Sequence, residues 1–225
     1  RVATRHGVKA DVCVEDAKSA VRWLRQNASR RGIDPDRICA GGGSAGGHTA
    51  SCTALIPGFD AELEDVGISS VPNALALFNP AVMLTHLDGF GLGGITEEKV
   101  ADIATRTGVP AADISPIHHV RANLPPAIIF HGMDDTTVPF ATVDEFTKRM
   151  LAAGNRCELK GFPEAQHGFF NAPRGNDPER RDRMHQWHQR TLLQLDRFLQ
   201  SLGWLDSEAT VRVADQDFVA CRGNV

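Results

Sequence analysis

Residues 41–48 read Gly-Gly-Gly-Ser-Ala-Gly-Gly-His, set between a short apolar run, Arg37-Ile38-Cys39-Ala40, and a stretch of small residues that continues to about Leu55. Small residues packed at one junction let a strand and the helix after it approach closely through a sharp turn. Gly42-Gly43-Ser44-Ala45-Gly46 satisfies G-x-S-x-G at that junction. A serine so placed takes a strained backbone conformation, and its hydroxyl is exposed at the C-terminal edge of a sheet. The positive end of the following helix lies near that hydroxyl, and the Ala45 backbone N–H can point at a developing oxyanion. A glycine-rich turn without chemistry is the plainer reading of the same residues.

The rest of the chain supplies the strands and helices that such a junction needs. Val14, Ala17, Val21 and Leu24 recur at helical spacing, which predicts an amphipathic helix from about Val12 to Asn27. Gly32-Ile33-Asp34-Pro35 breaks it, and Arg37–Ala40 is expected as a buried strand. Ala74–Phe78, Ala127–Phe130 and Cys157–Phe162 have the length of further buried strands. Val143, Phe146, Met150 and Leu151 mark one helix face closed by Gly154, and Met184, Trp187, Leu195, Phe198 and Leu202 mark a long terminal helix. Short apolar strands alternating with helices predict an α/β protein whose mostly parallel sheet has helices on both faces. We read residues 1–225 as a single, partial domain with an insertion over the site at about 80–125, helical around Glu97 to Thr107.

Gly41-Gly42-Gly43-Ser44-Ala45-Gly46 also fits G-x-G-x-x-G, the dinucleotide fingerprint. That pattern requires an acidic residue at the end of the next strand, whereas this strand ends Phe78-Asn79-Pro80, and Glu62, Glu64 and Asp65 lie in a polar connection before it. No cofactor is expected.

A serine hydroxyl needs a base and an orienting acid to become a nucleophile. Gln166-His167-Gly168-Phe169 follows a predicted strand, which brings His167 to the same sheet edge as Ser44. His131-Gly132-Met133-Asp134-Asp135-Thr136-Thr137-Val138-Pro139 follows another, and either aspartate can accept the imidazole Nδ1–H. Asp135 is the preferred acid and Asp134 the turn residue. Serine, aspartate and histidine then fall in the chain order of a nucleophile-elbow hydrolase. His167 alone reads as a surface-loop residue; the three together, each after a strand, read as a catalytic set.

The remaining histidines have structural readings. His48 is expected to pack within its helix and His131 to shape the turn holding Asp135, while His118 with His119 and His185 with His188 make poor metal pairs. The five cysteines, Cys13, Cys39, Cys52, Cys157 and Cys221, contain no C-x-x-C pair, so no metal site is expected. A net charge of −4 gives no reason to expect nucleic acid or an anionic membrane as a partner. Compartment, including secretion or the periplasm, and oligomeric state are left open.

Taken together, the Gly-Gly-Gly-Ser44-Ala-Gly-Gly-His elbow, the His131-Gly…Asp135-x-x-Val-Pro segment and Gln-His167-Gly-Phe resemble the acetyl esterase/lipase branch of α/β-hydrolases over nearly the whole chain. The resemblance implies an eight-stranded, mostly parallel sheet and metal-free hydrolysis of esters, often acetylated or feruloylated carbohydrates. Hormone-sensitive-lipase relatives usually carry Asp before the serine, where Gly43 stands here. The family's His-Gly-Gly-Gly oxyanion loop is not in this sequence, and Arg1 to Lys9 resembles the strand and loop just after it. The resemblance thus implies a fragment without the family's first three strands, with Ala45 as the remaining oxyanion donor. Low activity and poor solubility are expected of it.

The leading expectation is cleavage of a small-molecule or saccharide ester, with a short acyl group, through an acyl-enzyme. A peptidase of the prolyl-oligopeptidase type would share the order of the three residues. A non-catalytic binding module on the same scaffold would not need them.

Overall fold

Alternate residues of the central strands face opposite ways, and both directions are apolar, so the sheet must be covered on both sides. The computed structural model describes residues 7–171 and 177–206, together with the backbone of 219–220. Most of the Arg1–Lys9 resemblance, Cys221 and, apart from 219–220, the tail after Asp206 therefore fall outside the described residues. Four parallel strands, β1 (Cys39–Gly43), β2 (Ala74–Phe78), β3 (Ala127–Gly132) and β4 (Cys157–Phe162), lie in sequence order, and the short β5 (Val219–Ala220) pairs antiparallel to β4. Among the described residues the sheet thus has five strands, where the resemblance implies eight for the whole fold. The expected class, a mostly parallel α/β sheet with helices on both faces, is what the chain adopts.

Leu75 and Leu77 of β2 and Ile129 of β3 point into one core, with Ala50, Ala54 and Leu55 of α3 (Ala45–Leu55) and Val143, Phe146 and Met150 of α5 (Phe140–Ala152). Ala74, Ala76, Ile128 and Phe130 point into the other, against Phe198 of α6 (Pro178–Ser201). Outside α3, Val14 of α1 (Ala10–Gln26) packs on Cys52; a single turn, α2 (Ala28–Arg31), follows. Helix α4 (Glu97–Thr107) occupies the predicted helical patch, and two 3-10 turns, Ala111–Ile114 and Pro116–His119, complete residues 80–125. Val82, Met83, Leu87, Ile117 and Leu124 of that segment belong to the first core, so its ends are built into the sheet packing.

Three local expectations need correction. Strand β1 runs through the glycines, Cys39–Gly43, instead of ending at Ala40, because each of its residues pairs with β2, Gly43 opposite Phe78. Cys39 is exposed, not buried, since β1 has β2 as its one neighbour among the described residues. Leu151 is 49% exposed. It lies one step, about 100°, round the helix from Met150 and so leaves the buried stripe. Gly154 does close α5: its N–H donates to the Leu151 carbonyl and that of Asn155 to the Met150 carbonyl, with Gly154 at φ 79°. This is the paired C-terminal motif that glycine favours.

Candidate active site

Four consecutive strands deliver their following residues to one edge of the sheet, the C-terminal edge where α/β proteins place ligands. Ser44 follows β1, Asn79 follows β2, Asp135 lies three residues beyond β3, and His167 lies five beyond β4.

Ser44 has φ 55° and ψ −118°, the strained turn that the motif predicts. Its N–H donates to the Phe78 carbonyl at 2.8 Å, which ties the turn to β2, and its own carbonyl accepts from His48 N–H at 3.0 Å. The glycines are needed for approach. A Cβ on Gly42 would lie 2.6 Å from the Gly46 carbonyl carbon, and one on Gly43 would lie 2.5 Å from Phe170 Cζ. The Phe170 ring therefore occupies the space into which an Asp at position 43 would project. Ala45 opens α3, so its N–H has no intrahelical acceptor.

Of the two candidate aspartates, Asp135 meets His167: His167 Nδ1 lies 2.7 Å from Asp135 Oδ2. Asp135 is buried and its Oδ1 accepts from the backbone N–H groups of Thr137 (2.8 Å) and Val138 (2.9 Å). Burial alone would push this carboxyl up; the hydrogen bonds from His167, Val138 and Thr137, with the charge of His167, outweigh it and hold the carboxyl below its usual range. Asp134 is exposed and joins the turn through its backbone, its N–H donating to the Ala165 carbonyl.

His131 is fully buried, and burial lowers its pKa, so it is neutral at pH 7. Its Nε2–H donates to the Val138 carbonyl at 2.9 Å, bracing the loop that carries Asp135 as expected. His48 is likewise kept neutral by burial, with Nε2 2.6 Å from the Ile114 carbonyl. His118 bonds Ser115 Oγ and the His86 carbonyl, and His188 bonds the Phe170 carbonyl. Among the described residues no group of three metal-ligating side chains converges.

Ser44 and His167 are not hydrogen-bonded among the described residues. Each opens onto its own recess. Ser44 lines an apolar cavity of about 240 Å³ with Met83, Leu84, Ile95, Ile103 and Val138. His167 lines a cleft of about 360 Å³ with Phe169, Met184 and Trp187 and the charged Glu164, Asp177, Arg180 and Arg183. A bond between nucleophile and base is often long or poorly aligned until substrate is in place.

Asn79 was not singled out by the sequence as a site residue, yet its Nδ2 donates to Asp135 Oδ2 at 2.7 Å. The available signal was positional: an asparagine directly after a strand that ends beside the Ser44 elbow.

The profile of the BD-FAE family matches residues 1–150, and that of the Dienelactone hydrolase family matches residues 107–199. The chain is 28% identical to the probable carboxylic ester hydrolase LipM of Mycobacterium tuberculosis, over 68% of this chain and 37% of that protein. It is 27% identical to the acetylxylan esterase of Xylanibacter ruminicola, over 73% of this chain and 32% of that protein. Esterase 2 of Thermogutta terrifontis, phosphonylated by sarin, superposes with a TM-score of 0.83 at 46% identity, covering 92% of this chain and 72% of that one. The chain thus spans well under half the length of these two curated relatives and about seven tenths of that solved esterase.

Proposed function

The chain belongs to the BD-FAE family of α/β-hydrolases, and on that premise we propose that it is the catalytic part of a serine carboxylic ester hydrolase. The observation that carries the reading is the 2.7 Å contact of His167 Nδ1 with the buried, ionised Asp135, on the same sheet edge as the strained Ser44. Ser44 Oγ attacks the acyl carbon while His167 Nε2 takes its proton, and Asp135 fixes the tautomer and stabilises the imidazolium. The tetrahedral oxyanion is met by the Ala45 N–H at the positive end of α3. Collapse expels the alcohol, which takes the proton from His167, and leaves the acyl group on Ser44. Water activated by His167 then releases the acid.

The apolar cavity beside Ser44 suits the acyl group, and the cleft beside His167, with its charged side chains and Trp187, suits an alcohol such as a saccharide. Residues 80–125 form the single domain's insertion and wall the acyl side through Met83, Leu84, Ile95 and Ile103. The acyl group is short, acetyl included. A cavity of about 240 Å³ has room for several carbons, since one of about 150 Å³ admits benzene. The test is hydrolysis of acetyl, butyryl and octanoyl p-nitrophenyl esters by the chain and by Ser44→Ala. Turnover that favours the shorter esters and vanishes in the variant supports the reading; an octanoyl preference overturns the short acyl group. Turnover surviving in Ser44→Ala overturns the nucleophile.

A further inference from the structure

Asn79 carries two costs that the packing of the fold does not require. It is a fully buried side chain with φ 44°, in the left-handed region that L-residues other than Asn, Asp and Gly avoid. Its Oδ1 is buried without a hydrogen-bond partner, a rare condition for a buried carbonyl oxygen. The amide cannot turn over to relieve this, because Oδ1 would then face the Asp135 carboxylate. Its backbone N–H donates to the Phe130 carbonyl at 2.8 Å and pins the residue to the end of β3. What these costs secure is one interaction, the 2.7 Å bond from Nδ2 to Asp135 Oδ2, the oxygen that also meets His167 Nδ1 at 2.7 Å.

We infer that Asn79 is a positioning residue of the Asp135–His167 pair: its amide fixes Asp135 Oδ2 in its aim at His167, and so bears on the pH range in which the pair works. The inference rests on the reading of Ser44, His167 and Asp135 as the catalytic set. The division of labour within the carboxylate makes it specific. Oδ1 is fixed by the Thr137 and Val138 amides, which hold the loop. Oδ2 would otherwise answer to His167 alone, with His131 Nε2 a distant 3.4 Å away. A neutral donor at Oδ2 fixes the rotation of the carboxylate without adding charge. It also draws electron density from the oxygen that must later stabilise the imidazolium.

Among the described residues, the charged and titratable groups that face the pair are few. His131 and Asp135 approach from β3 and its loop, and Asp134 is exposed beside them. Glu164, Asp177, Glu179, Arg180 and Arg183 line the cleft on the far side of His167, where both signs are mixed and water screens them. A charge placed at position 79 acts on the pair from within 2.7 Å of Asp135, inside that screening.

Asn79→Asp is the decisive variant, because it keeps the shape and tolerates φ 44°. At low pH its neutral carboxyl can still donate to Asp135; as the pH rises it ionises and adds a second negative charge beside the imidazole. The acidic limb of kcat/KM is expected to move up by about one pH unit, with KM little changed. The imidazole titration of the pair, followed by NMR, should move in the same direction without any need for turnover. Asn79→Gly accepts the backbone and removes the donor, and kcat is expected to fall about tenfold at constant KM. A folded Asn79→Asp whose acidic limb and imidazole titration both superimpose on wild type overturns the inference. If the imidazole titration shifts but neither protein hydrolyses any ester, the positioning role stands and the esterase reading fails.

Discussion

His167 Nδ1 and Asp135 Oδ2 lie 2.7 Å apart, joining two loops whose residues are 32 positions distant in the chain. The loops meet because β3 and β4 are parallel neighbours in register, Gly132 opposite Phe162, so both chains leave the sheet at the same level. The Ala165 carbonyl then accepts the Asp134 N–H and locks one loop to the other. Parallel pairing thus does what no local sequence preference could.

This geometry separates the adjacent aspartates. Asp135→Asn presents an amide to His167 and favours the wrong tautomer, so turnover is expected to fall by about 10³–10⁴. Asp134→Asn alters an exposed side chain, and turnover should stay within about threefold of wild type. Steady-state kinetics on one ester measures both; equal losses would remove the distinction.

Gly43→Ala should destabilise the fold by about 1–3 kcal/mol, because the new methyl meets Phe170 Cζ at 2.5 Å. Phe170 is not free to swing away, being packed on Phe78 with ring centroids 5.2 Å apart. Adding Phe170→Leu should recover part of the loss. Urea denaturation midpoints of the single and double variants check this, and strict additivity would count against the contact.

Stability is expected to fall in acid. Burial alone would raise the carboxyls of Asp60, Asp135 and Glu158, but their partners outweigh it and hold all three below the ordinary range. Those partners are Arg22 and Lys18 for Asp60, His167 and two backbone amides for Asp135, and Arg156 and Lys160 for Glu158. A carboxyl whose folded pKa is depressed contributes its full stabilisation above the unfolded value, about 4, and loses it as the pH falls through the folded value. The melting temperature should therefore decline below about pH 4. A melting temperature that is flat or rising from pH 5 to pH 3 contradicts this.

Removing Asp60 tests a buried polar network outside the site. Lys18 and Arg22, both buried on α1, reach across to Asp60, and Arg22 Nη1 also meets Glu64 at 3.0 Å. Lys18 Nζ further donates to the Ile56 carbonyl at 3.1 Å, so α1 pins the connection between α3 and β2. Asp60→Ala leaves two buried cations with less compensation and should cost about 1–3 kcal/mol, discounted from a fully buried pair because Asp60 is partly exposed. Calorimetry at pH 7 would show it as a lower melting temperature, and an unchanged one would mean that water replaces the carboxylate.

Much of this was readable in the sequence because its signals are local. The elbow around Ser44 is a matter of residue size over a few positions, and the helix at Glu97–Thr107 begins at a Thr96 side chain that accepts the Lys99 N–H. What failed to show depends on neighbours distant in sequence. Glycine disfavours strands, so β1 seemed to stop at Ala40, but pairing with β2 carries it to Gly43. Cys39 seemed buried because nothing in its own neighbourhood marks an edge strand. The turn chemistry expected of Asp134 belongs instead to Asp135, whose Oδ1 accepts N–H groups two and three residues on. Asn79 carried no motif at all; its contact with Asp135 spans 56 positions and exists through the adjacency of β2 and β3.

The central claim is that Ser44 is a nucleophile activated by His167. Its most direct test is reaction with a fluorophosphonate probe, with the modified peptide located by mass spectrometry. The adduct is expected on Ser44, absent in Ser44→Ala and at least about 10²-fold slower to form in His167→Ala. Labelling that persists in Ser44→Ala, or that proceeds at the same rate without His167, would contradict the claim.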